Sequence, residues 1–174
     1  MSSALALRPS SAEYAPYYVR YISLVPEGDI IQTLSQQLED TLSLLSSIPE
    51  SKAGYRYAPD KWSIKEVIGH IIDAERVFAY RALRFARNDK TPLASFEQDD
   101  YVRTGGFDER KLADLAEEFE HVRRGNIRLF SSFSNEALSR TGIASEKEVS
   151  VRALLYIIAG HERHHIEILK SRYL

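Results

Sequence analysis

The stretch of this chain best suited to chemistry is Gly160-His161-Glu162-Arg163-His164-His165. At about 100° per residue on an α-helix, Val151, Leu154, Leu155, Ile158 and Leu169 gather on one side, at roughly 0, 300, 40, 340 and 0° with Val151 as origin. His165 then falls near roughly 320° and His161 near roughly 280°, on the apolar side, while His164 falls near roughly 220° and leaves it. His161 and His165 therefore point inward one turn apart. Their Cβ atoms are expected roughly 5–6 Å from one another, a spacing that lets two imidazoles meet on one metal ion. Inward imidazoles need partners, because burying an unpaired polar group is costly.

The same residues match His-Glu-x-x-His, a helical zinc-binding pattern whose glutamate acts as general base. Glu162 holds that place, although no other metalloprotease signature accompanies it. A third ligand has to come from elsewhere. His121, between Glu120 and Val122, lies off the Leu115–Phe119–Val122 stripe and reads as a surface residue. His70 sits in the apolar run Ile68-Gly69-His70-Ile71-Ile72, about 100° round the helix from Ile71, on a flank shared with Ala74 and Val77. Gly69 and Gly160, each beside an inward histidine, would let another element approach closely. The chain has no cysteine, so any metal site is built from nitrogen and oxygen donors. Three neutral imidazoles leave an ion its full charge and an open position, as catalytic zinc sites do. Glu75 has two readings, a buried carboxylate paired with an arginine or an acceptor that orients a ligand histidine.

These side chains must be carried by helices. The first long one begins near Asp29, an N-cap candidate, runs through Ile31, Leu34, Leu38, Leu42 and Leu45, and ends at Pro49. The second begins at Trp62-Ser63-Ile64-Lys65-Glu66, where Ser63 and Glu66 make a capping box, and is expected to reach about Arg87. A third starts behind Asp108 with Leu112, Leu115, Phe119, Val122, Leu129, Phe130 and Phe133. The last spans about Ser150 to Tyr173, and no segment reads as a strand. The expected fold is all-α, a four-helix bundle with a long loop, residues 90–107, between helices two and three. Residues 1–28, with Pro9, Pro16, Pro26 and Tyr14, Tyr17, Tyr18 and Tyr21, read as an irregular arm, and residues 29–174 as the bundle domain.

Composition narrows the function. The 174 residues are 44% hydrophobic and 28% charged with a net charge of −2, which argues against nucleic-acid binding. Arg76, Arg81, Arg84 and Arg87 read as a solvated face with favourable charge near a helix C-terminus. No run is long enough for a membrane span. Ala4-Leu5-Ala6-Leu7 is too short for the apolar region of an export signal, and the lack of cysteine fits a reducing compartment, so a cytoplasmic protein is expected. Nothing resembles a phosphate loop, a nucleophile elbow or a dinucleotide fingerprint.

Trp62 to Arg76 resembles helix two of the DinB/YfiT-like metalloenzymes, and Ile158-Ala159-Gly160-His161-Glu162-Arg163-His164-His165 resembles their last helix. Phe96-Glu97-Gln98-Asp99-Asp100-Tyr101 and Arg140-Thr141-Gly142 are similar to segments between those helices, and the likeness covers about residues 29–171. It implies that His70, His161 and His165 bind one divalent metal ion, zinc or nickel in the first place, in a protein that is often a homodimer. It further implies a thiol-dependent S-transferase taking a small-molecule thiol and an electrophilic substrate. A metal-dependent hydrolase or a non-catalytic metal-binding stress-response protein is the alternative. Glu75, Tyr101 and Arg140 are the candidates for supporting catalytic roles.

Overall fold

A computed structural model describes residues 8–174, so the Ala4–Leu7 run lies outside the described residues. After 3₁₀ turns at Ser11–Glu13 and Pro16–Tyr18 come α1 (Val19–Ile22), α2 (Ile30–Ser47), α3 (Glu50–Ala53) and α4 (Ile64–Ala86). They are followed by α5 (Gln98–Thr104), α6 (Leu112–Ser131) and α7 (Asn135–Ser139). The chain then forms strands β1 (Thr141–Ala144) and β2 (Lys147–Ser150) and ends in α8 (Val151–Ile168), which runs into a π-helical turn at Leu169–Tyr173. The long helices α2, α4, α6 and α8 are the four of the bundle. No helix among the described residues is long and apolar enough to cross a membrane.

Local chemistry sets where the site-bearing helices begin. The Ser63 hydroxyl accepts the Glu66 amide while Glu66 returns to the Ser63 amide, the capping box expected at the start of α4. Ser150 caps α8 by accepting the Ala153 amide and donates to Glu13, which also pairs with Arg152. The segment before α2 is thereby tied to the start of α8, and it buries Tyr21, Ile22 and Val25.

The centre of the bundle is polar. Arg123 from α6 is fully buried and bonds both carboxylate oxygens of Glu75 from α4 at 2.8 Å. It also pairs with Glu162 from α8 at 2.9 Å. Gln37 and Thr41 from α2 donate to Glu162, and Asn126 donates to Glu75. All four helices contribute, and each buried charge is paired and hydrogen-bonded, which is the condition under which an interior tolerates it.

Three expectations are corrected here. The segment read as free of strands contains an antiparallel hairpin, Thr141 opposite Ser150 and Ala144 opposite Lys147. Its two-residue turn, Ser145-Glu146, has both residues at positive φ, 52° and 63°, the shape that suits a hairpin but without the usual Asn-Gly signal. The long loop at residues 90–107 holds α5 and leads into a 3₁₀ turn at Phe107–Glu109. Arg81, read as part of a solvated face, is 3% exposed, because Leu93 pairs with Ala144 of the hairpin and draws the following residues over it.

Candidate metal centre

His70 comes from the apolar first half of α4, and His161 and His165 from successive turns of α8. Their nearest ring nitrogens all lie within 4.8 Å of one another, and the Nε2 atoms of His70 and His161 are 2.9 Å apart, one ring donating to the other. The ring centroids of the three pairs are separated by 4.6 to 4.8 Å. His164 faces away from this cluster's centre and touches the Tyr21 and His165 rings. His121 is exposed.

The neighbouring elements come close because both glycines allow it. A Cβ on Gly69 would enter the Phe107 ring, and one on Gly160 would overlap the Tyr21 backbone. Tyr21 stands edge-on to His161 at 5.3 Å and Phe78 at 6.0 Å. Trp62 lies 4.8 Å from His70 and stacks on His165 at 6.4 Å. The π-helical turn after α8 fixes that indole's backbone, since the Tyr173 hydroxyl donates to the Trp62 carbonyl at 2.7 Å.

Burial holds the imidazoles neutral. It pushes His70 down to about 4 and His165 down to about 3. His161, the deepest, lies well below the ordinary histidine value through burial first and then the neighbouring rings. At neutral pH their nitrogen lone pairs are therefore not occupied by extra protons, as metal ligation requires. Ligand nitrogens about 2.0–2.1 Å from a tetrahedral ion stand about 3.3 Å from one another. The 2.9 Å pair and the 4.8 Å limit bracket that spacing, so the donor set fits one ion of this kind.

Two cavities reach the cluster. One of about 290 Å³ exposes His70 and His161 together with Tyr18, Phe78, Arg81 and Phe96. The other, about 300 Å³, exposes His165 beside Trp62 and Tyr173, and Asp99 borders both.

The remaining sequence candidates lie elsewhere. Glu75 is committed to Arg123. Tyr101 is 44% exposed and packs on Phe96. Arg140 bonds the Ala86 carbonyl and Glu136. No hydrogen bond, ion pair or ring contact joins any of the three to the histidines among the described residues. Glu162 does not serve them either, since Arg123, Gln37 and Thr41 occupy its carboxylate. Its place about 100° round the helix from His161 already separates their targets. Arg81 is the residue at the site that sequence reasoning missed.

A helical bundle with an inward cluster of three imidazoles opening to cavities has a donor set that could hold a metal ion. The chain belongs to the DinB superfamily, whose sequence profile matches residues 33–169. No curated protein matches it. In fold it is similar to YfiT from Bacillus subtilis, described as a probable metal-dependent hydrolase with an unusual four-helix bundle topology. That likeness has a TM-score of 0.70 and 11% identity, over 94% of this chain and 89% of that one. It is also similar to a mycothiol-dependent maleylpyruvate isomerase, with a TM-score of 0.67, 13% identity and 83% of this chain covered. The match spans 61% of the isomerase chain.

Proposed function

We propose that His70, His161 and His165 hold one divalent metal ion, zinc or nickel, and that the chain is a metal-dependent enzyme that transfers a small-molecule thiol to an electrophile. The observation that carries this reading is the convergence of three neutral imidazoles on a spot that two cavities reach. Such a donor set holds an ion and leaves a position for a reactant. Bound there, the ion would supply Lewis acidity, lowering the pKa of a thiol or water and polarising a carbonyl.

The protein's own residues would prepare the place. Trp62, Phe78 and Tyr21 wall the cluster with rings, an apolar surround that strengthens electrostatic interactions inside. In the transfer a carbon–sulfur bond forms as the thiol's S–H bond breaks. The electron pair displaced on the electrophile, from its π-bond in an addition or its bond to a leaving group in a substitution, takes up the released proton. The chain has no cysteine, so the thiol comes from outside. The fold's likeness to a mycothiol-dependent isomerase supports a thiol. Hydrolysis is the second reading, favoured by the fuller mutual coverage with YfiT, and it needs the same three ligands.

Elemental analysis of the protein beside His70→Ala and His161→Ala–His165→Ala variants tests the metal. About one equivalent, lost in both variants, is expected for a three-ligand site. Loaded protein assayed with thiols and electrophiles, and in parallel with esters and amides, then separates transfer from hydrolysis. A protein that stays metal-free after incubation with zinc and nickel would overturn the reading.

A further inference from the structure

Among the described residues two arginines are deeply buried, and they are treated differently. Arg123 is fully buried against two carboxylates. Arg81, 3% exposed, is joined by no ion pair to a carboxylate among the described residues. Its Nη2 donates to the Ala94 carbonyl at 2.9 Å and to the Ser145 hydroxyl at 3.1 Å, both neutral acceptors. The rings of Phe78 and Phe96 flank it at 5.8 and 5.9 Å, and the Tyr18 phenol also bears on it.

A buried cation without a counter-charge is costly. This one borders the cavity of about 290 Å³ that also exposes His70 and His161. Glu97 and Asp99 border the same cavity, but both are exposed, and water screens charges so placed. The cavity thus joins an uncompensated guanidinium, which suits a planar carboxylate, to the histidine cluster.

We propose that Arg81 receives a carboxylate of the substrate inside this cavity, so that the enzyme selects small carboxylic acids, with the reacting end of the molecule turned toward His70 and His161. The orientation rests on the metal reading above; the anion site rests on Arg81 and its cavity. The carboxylate can be borne by the thiol or by the electrophile, and its chemistry at Arg81 is the same.

Two probe pairs separate the sources: 3-mercaptopropionate against 2-mercaptoethanol, and crotonate against crotonamide. Binding to zinc-treated wild type, Arg81→Met and Arg81→Lys is followed by the fluorescence of Trp62, the single tryptophan, which lies 4.8 Å from His70. A charge-assisted bond corresponds to about tenfold in affinity or more. The carboxylate member of one pair should therefore bind the wild type about tenfold more tightly than its neutral counterpart. That pair identifies the bearer. Arg81→Met should bring the ratio close to one, and Arg81→Lys should keep part of it. Equal binding within both pairs, no binding by any probe, or a preference that persists in Arg81→Met overturns the proposal. Should Arg81→Met fail to fold, Arg81→Lys decides the matter, and a preference undiminished there overturns the proposal. The pair that shows the preference in the wild type is also titrated against His70→Ala. A preference kept there leaves the anion site standing whatever the metal analysis shows, and a preference lost there with folding intact overturns a site resting on Arg81.

Discussion

The backbone of Tyr21 lies directly against the α-carbon of Gly160, so close that a Cβ at that position would overlap the Tyr21 carbonyl oxygen. The contact seats α1 on α8 and sets the Tyr21 ring against both His161 and His164. One missing side chain thereby forms a wall of the histidine cluster.

Gly160→Ala is expected to destabilise the protein by about 1–3 kcal/mol, the usual cost of overpacking. Alanine's better helix propensity, about 1 kcal/mol, works the other way but cannot relieve an overlap with backbone. A urea midpoint at or above that of the wild type would show that α1 yields without cost.

Of the adjacent histidines on α8, only one belongs to the cluster. His165→Ala should weaken metal affinity by about a hundredfold or more, the upper range for loss of a supporting group. His164→Ala should keep about one equivalent, as expected when the three ligands remain. Metal titration of the two variants side by side checks this, and the reverse order would move the site.

Glu162 and the histidines make opposite predictions. Because the Glu162 carboxylate is bonded by Arg123, Gln37 and Thr41 at the bundle centre, Glu162→Gln should cost about 1–3 kcal/mol of stability while metal content stays unchanged. A general base would show the opposite result, with activity lost and the denaturation curve unmoved.

The metal-free protein should weaken in acid with a particular window. The folded state holds His70 near 4 and His165 near 3, whereas the ordinary value is 6.5. Below 6.5 the unfolded chain therefore binds more protons, and stability falls with pH. The His70 contribution, up to about 1.4 kcal/mol per pH unit, is lost between 6.5 and about 4. Urea midpoints of chelator-treated protein across that window check it. His70→Gln should flatten the curve, and an unchanged slope in that variant would mean that His70 titrates normally.

Much of the fold was legible because it is local. The capping box at Ser63 and Glu66 depends on residues three apart, and the inward turn of His161 and His165 depends on helical period alone. The hairpin was not legible, because each strand is four residues long and Ser145-Glu146 is not a sequence that announces a turn. The helix α5 has 7 residues, too few for a helical period to stand out within the long loop that holds it.

The amino-acid sequence by itself determined four amphipathic helices and the two histidines that share the inner face of the last one, because periodicity decides which side chains stand together on one element. It left open what each face would meet. Tertiary structure brought His70 to within hydrogen-bonding distance of His161, 91 residues away. It gave Glu162 to Arg123, although its place in the motif suggested a base. It also buried Arg81 beneath Ala94, Phe96 and Ser145. Those outcomes depend on contacts between distant segments, and neither the charge nor the spacing of a residue within its own helix specifies which neighbour will cover it.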